Sequence, residues 1–229
     1  MSHTARRLGW VSLYAIAMAL LEAAVVAYIR ALIDVTADRV DVGPYLTIEI
    51  GREAATIVML VAVGWIAGTH RLDRWAYGLF AFGLWDIAYY VWLKVLLDWP
   101  RTLLDWDILF LIPLRWWGPV LSPVLIAVLI CVSAVLAVLR LEREERLGIT
   151  SARVTVVTLG GLLALYIFMA DAIRALLAGQ PDWNTLRPSP FRWPLFMLAL
   201  ALMAWPSLAM TWPWPRRARV TADDGRSIA

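Results

Sequence analysis

The chain is short of the residues on which most cofactor and nucleophile chemistry depends. Its single cysteine, Cys131, lies in the middle of an apolar run, which excludes an intrachain disulfide and a thiolate cluster for zinc or iron–sulfur. Its two histidines, His3 and His70, fall near predicted cytoplasmic ends, leaving no pair of helix-buried imidazoles to hold a haem. For the same reason Ser122, Ser133 and Cys131 have no histidine beside them for triad chemistry. A phosphate-binding glycine loop is also missing; Gly160-Gly161 lies in an apolar stretch, where close helix packing is the expected role. Charge is scarce as well, at 17% of residues, against about 25% in an average soluble domain. No basic stripe with interleaved aromatics lies outside the apolar stretches, so a nucleic-acid partner is not expected.

What the chain has in quantity is apolar surface. At 62% hydrophobic residues, a domain of 229 residues cannot hide it all, so much of it must face a lipid bilayer. A span needs about 20 mostly apolar residues, and six stretches qualify: 9–33, 47–69, 76–97, 119–140, 153–177 and 194–212. The expected fold is therefore all-α: a polytopic membrane helical bundle forming one integral domain over residues 1–229, with a polar, disordered tail over 215–229. The first stretch follows Arg6 and Arg7 but is too long for a signal peptide and carries Glu22, so it reads as a retained helix behind a cytoplasmic anchor.

Orientation follows from the basic residues. With the N-terminus inside, twelve arginines fall in cytoplasmic segments: Arg6, Arg7, Arg71, Arg74, four between 140 and 153, and four in the tail. Only Arg39, Arg101, Arg115, Arg187 and Arg192 fall outside. Tryptophans mark the same borders, with Trp10, Trp75, Trp212 and Trp214 inside and Trp99, Trp106, Trp116, Trp117, Trp183 and Trp193 outside. Of 21 lysines and arginines only Lys94 is lysine, a bias typical of GC-rich bacterial genomes. The expected location is thus a bacterial inner membrane, with both termini cytoplasmic.

Two connections stand out. The outer segment 99–117 is too apolar for a solvated loop and too short for two spans. It reads as an interfacial helix or re-entrant segment, ended by Pro113 and the Trp116-Trp117-Gly118-Pro119 turn. The inner segment 140–153, with Glu142, Glu144 and Glu145, reads as a solvated helical extension. A faint internal echo relates Tyr28-Ile29-Arg30-Ala31-Leu32 to Ala172-Ile173-Arg174-Ala175-Leu176, which raises a two-helix repeat as an option.

The charges inside the spans share one level. At 1.5 Å per residue, Glu22 lies ~20 Å from the inner end of its helix, slightly past the midplane. Arg30, Glu49, Arg52 and Glu53 fall in the outer half, Asp86 near the middle with Tyr90 and Lys94 above it, and Asp171 and Arg174 at the outer end of the fifth span. Ionised groups in lipid are costly and usually face protein or water. Glu49, Arg52 and Glu53 share a helix face by spacing, Asp171 and Arg174 stand three apart, and Asp86, Tyr90 and Lys94 follow steps of four. Together they predict a cavity in the periplasmic half of the bilayer. Asp86, Glu22, Glu53 and Lys94 are its candidate catalytic groups, the last because an amine, unlike a guanidinium, can lose its proton and attack carbonyls. Arg52, Tyr90, Asp171, Arg174, Trp99 and Trp106 are its candidate binding groups. Taken singly, Arg30, Lys94 and Arg174 are explained as well by snorkelling, and Glu49 by the start of a helix. Asp105 and Asp107, with Asp98 nearby, form an Asp-x-Asp pattern that suits a hard cation but is too short to assign one, so no metal site is predicted.

Three functions fit this pattern: binding or chemistry on a lipid-like or amphipathic small molecule at the outer leaflet, ion- or proton-coupled transport of a small solute, or a non-catalytic subunit whose charges pair with a protein partner. The one-sided placement of charge favours the first.

Overall fold

The computed structural model describes residues 2–33, 46–179 and 188–211. Arg39, Trp183, Arg187, Trp212, Trp214 and the tail over 215–229 lie outside the described residues. Among the described residues there are six long helices: α1 His3–Ile33, α2 Leu46–Ala67, α3 Arg71–Leu97, α4 Leu121–Glu142, α5 Ser151–Leu177 and α6 Trp193–Thr211. All six are long and apolar enough to cross a membrane, and no more than a third of any span's most apolar stretch is buried. Exposed Leu21, Ile66, Val95, Leu177 and Trp205 show the rest turned outward, as a bundle whose solvent is lipid requires. The chain is a multi-pass membrane protein of all-helical class.

Helix α3 is the hub. It packs along α1, α2 and α4, and the core around its buried Tyr77, Ala81, Trp85 and Ala88 takes in Val11, Ala15 and Met18 of α1 and Leu60 of α2. Small residues set these distances. A Cβ on Gly83 would stand 2.8 Å from both the Ala127 carbonyl oxygen and Cys131 Sγ of α4, so α3 and α4 are in contact there through backbone. The α2–α3 turn is equally tight, since a Cβ on Gly68 would fall 2.4 Å from the Arg74 nitrogen. Asp73 closes the turn by accepting from the Thr69 N–H at 3.0 Å. Helices α5 and α6 form a second unit around Phe168, Phe196 and Ala199. The close packing expected at Gly160-Gly161 holds for Gly160, whose Cβ would meet the Ala199 carbonyl at 2.9 Å, and not for Gly161, which faces open space.

Three sequence expectations need correction. The 99–117 segment contains no interfacial helix. An antiparallel hairpin, β1 Trp106–Phe110 and β2 Trp116–Pro119, pairs Trp106 with Pro119, Asp107 with Gly118 and Ile108 with Trp117, with a bulge before Phe110. Pro100 and Pro113 bracket the segment, and Trp106, Ile108 and Phe110 alternate in the manner of a strand. The hairpin folds back along α3, reaching Tyr90, which sits seven residues or ~10 Å inside the helix end. The inner 140–153 segment is not a helical extension either: α4 stops at Glu142 and α5 starts at Ser151, capped by Thr150. Arg153 ties this loop to α6 by donating to the carbonyls of Gly148 at 2.7 Å and Ala209 at 3.4 Å. Finally, the two-helix echo has no counterpart in packing. Helices α5 and α6 lie directly against each other, whereas α1 and α2 meet at few points, flanking α3.

Candidate functional site

Four of the charged positions, Glu22 of α1, Arg52 and Glu53 of α2 and Asp86 of α3, do converge. A cavity of about 60 Å³ is lined by Glu22 of α1, Arg52, Glu53 and Thr56 of α2, Trp85, Asp86, Tyr89 and Tyr90 of α3, and Ile108, Leu109 and Phe110 of β1. Helical spacing explains the set. Arg52, Glu53 and Thr56 share a face of α2, and Trp85, Asp86, Tyr89 and Tyr90 form adjoining rows on α3.

Arg52 organises the α1–α2 side. Its Nε donates to Glu49 Oε2 at 2.9 Å, its Nη2 stands 2.9 Å from the same oxygen, and its Nη1 pairs with Glu22 Oε2. One guanidinium therefore serves two carboxylates, Glu22 being 6% and Glu49 8% exposed. The other Glu22 oxygen accepts from the hydroxyl of Thr56, itself bonded to the Arg52 carbonyl at 3.1 Å. Buried ions persist only when paired and hydrogen-bonded, and Glu22 meets both conditions.

The hairpin roofs the cavity and is fastened by two acids. Both oxygens of Glu53 accept from the Leu111 N–H, at 3.0 and 3.2 Å, which satisfies a backbone donor at the hairpin tip. Asp107 on β1 accepts from the Tyr90 hydroxyl at 3.3 Å. Burial pushes the Asp107 carboxyl up to about 6, against the opposing pull of Arg30, the Ile108 N–H and the Tyr90 hydroxyl. Asp86 differs from the other acids. It lines the cavity yet has no hydrogen bond or ion pair with any described residue, while Asp107 adds a like charge nearby. Acids thus outnumber bases here, and Asp86 is the one left uncommitted.

The remaining candidates lie elsewhere. Lys94 points away from the cavity to Asp98, 2.7 Å away, with 49% of its side chain exposed; its spacing of four from Tyr90 placed it on the stripe but beyond the roof. Asp171 and Arg174 pair with each other and with Ser189, whose N–H reaches Asp171 Oδ2 at 2.8 Å. They clasp the end of α5 to the segment entering α6. Trp99 lies beneath the Arg30 guanidinium at 4.5 Å and beside the Tyr90 ring at 6.4 Å. Trp106 packs edge-on against Phe191 at 6.0 Å. The two acids of the Asp-x-Asp pattern are split by strand geometry. Asp105 accepts from the Arg101 N–H and the Thr102 hydroxyl, both at 2.7 Å, and these bonds hold it below the usual carboxylate range. Asp107 turns to Tyr90. Among the described residues no three acids, histidines or cysteines come together as a metal-binding set.

Sequence reasoning missed Thr56, Tyr89 and the role of Asp107. Thr56 is the next step of the Glu49–Arg52–Glu53 face; Asp107, read as half of an Asp-x-Asp pattern on an interfacial or re-entrant segment, reaches Tyr90 only through the strand pairing. Compared with models of protein families, with curated proteins and with solved structures, the chain matches none.

Proposed function

We propose that this is an inner-membrane protein, with both termini cytoplasmic, that binds the polar head of an amphipathic small molecule in a chamber within the periplasmic half of the bilayer. The observation that carries this reading is Asp86, an unpaired carboxylate in a cavity whose other acids are each committed to a partner. A free carboxylate there can accept a hydrogen bond from a ligand or exchange a proton with it, as general acid–base chemistry requires. Arg52 is held by two carboxylates and serves to fix the wall rather than to capture an anion. A water needs roughly 15 Å³ of such space, so the cavity holds a few waters or a small polar group while any apolar tail lies in the membrane. The small volume also suits the alternative of proton- or ion-coupled transport.

The test is mass spectrometry of compounds that co-purify with the protein. Wild type should retain a compound that Asp86→Asn loses while keeping the same elution and melting temperature. Equal retention by both would overturn the placement of the site. Proton flux into proteoliposomes, seen with wild type and lost in the same variant, would favour transport.

A further inference from the structure

A second cavity, of about 110 Å³, lies at the opposite end of the α2–α3 pair and has a different character. Its walls are Ile57, Leu60, Val61 and Trp65 of α2 and Gly78, Leu79 and Phe82 of α3, with Arg74 and Trp75 at the mouth. The helices touch at its floor, where a Cβ on Gly64 would stand 2.6 Å from Gly78 Cα. The large side chains on either side stand proud of that contact and make a groove: Trp65 is 40% exposed, Trp75 52% and Leu79 47%. The two indoles meet edge to face at 5.1 Å.

The mouth is basic. The Arg74 guanidinium lies 6.0 Å from the Trp65 ring centroid, and its Nε donates to the Gly68 carbonyl at 3.4 Å. Arg71 stands one turn earlier, on the face that runs through Arg74, Trp75, Gly78 and Phe82. Among the described residues neither guanidinium is in an ion pair. The nearest acid in sequence, Asp73, is occupied by Thr69 and by Arg7 at 3.9 Å.

We propose that this groove is a binding site for an anionic glycerophospholipid, with an acyl chain against Ile57, Val61 and Phe82 and the phosphate met by Arg71 and Arg74. An apolar slot open to the side of a membrane helix pair takes a hydrocarbon chain, and unpaired guanidiniums at its mouth select a negative head group. The proposal stands apart from the chamber around Asp86 and does not depend on it.

Native mass spectrometry of the full chain in detergent, titrated with phosphatidylglycerol or phosphatidylcholine of identical chains, tests it. Wild type should take up phosphatidylglycerol preferentially. Arg71→Gln with Arg74→Gln should reduce that preference by roughly thirtyfold, since each surface arginine contributes about 1 kcal/mol toward an anionic lipid and the two together about 2 kcal/mol. Val61→Phe, which fills the slot from an exposed position, should weaken uptake of both lipids. Equal uptake of the two lipids by wild type, an undiminished preference in the double variant, or unchanged uptake by Val61→Phe would each overturn it.

Discussion

Asp107 offers the sharpest test of the hairpin roof. Replacing it with asparagine removes the charge and keeps an oxygen that can accept from the Tyr90 hydroxyl, now at 3.3 Å. In the folded protein the carboxyl titrates at about 6 rather than the ordinary 3.8, because burial disfavours its ionised form. That difference corresponds to a destabilisation of about 3 kcal/mol when the group is ionised in both states. The sign is that of a raised acid. Above about pH 6 the folded state bears the whole penalty. Between about pH 6 and 4 the folded state holds the proton and the unfolded chain does not, so stability rises as pH falls. Asp107→Asn should therefore be more stable than wild type at pH 7.5, by roughly 5–10 °C in melting temperature for a chain of this size. The gap should close by pH 4.5. Thermal unfolding in detergent, recorded for both proteins across that range, measures it. A gap that stays constant with pH, or a variant less stable at pH 7.5, would refute the burial of Asp107 against Tyr90.

Two further outcomes follow from packing. Arg52→Gln should destabilise by about 3 kcal/mol, the lower end for a broken buried pair because 26% of the arginine side chain is exposed. Adding Glu22→Gln should recover part of that loss, and chemical unfolding that finds the two changes additive would contradict the pairing. Gly83→Ala should cost about 1–3 kcal/mol by forcing α3 from α4, whereas Gly161→Ala, which meets nothing within 4 Å, should be neutral or slightly stabilising.

Much of the fold could be read from the chain because lipid imposes a coarse rule: long apolar runs become helices. All six expected runs did so, although α3 begins at Arg71, five residues before the apolar run at 76. The hairpin escaped that rule. Its strands satisfy each other across a short turn, and the Leu111 N–H at its tip is taken by Glu53, a partner 58 residues away that no local pattern reveals. The site divides the same way. Spacing along single helices brought out the Glu49–Arg52–Glu53 face, and depth placed Glu22 and Asp86 at one level. Which faces meet depends on helix packing, and packing put Lys94, Asp171 and Arg174 outside the cavity. The balance of acids and bases along the chain did not carry over to the cavity, because Arg30 lies over Trp99 and Lys94 turns to Asp98.

Helices α1 and α2 touch so sparsely that the Glu22–Arg52 pair, with Thr56 beside it, is a principal rivet between them. A rivet made of charge can be drawn without breaking a core. Any occupant that competes for either partner loosens one wall of its own chamber as it arrives, and α1 and α2, each held separately to α3, are free to part there while the rest of the bundle keeps its shape.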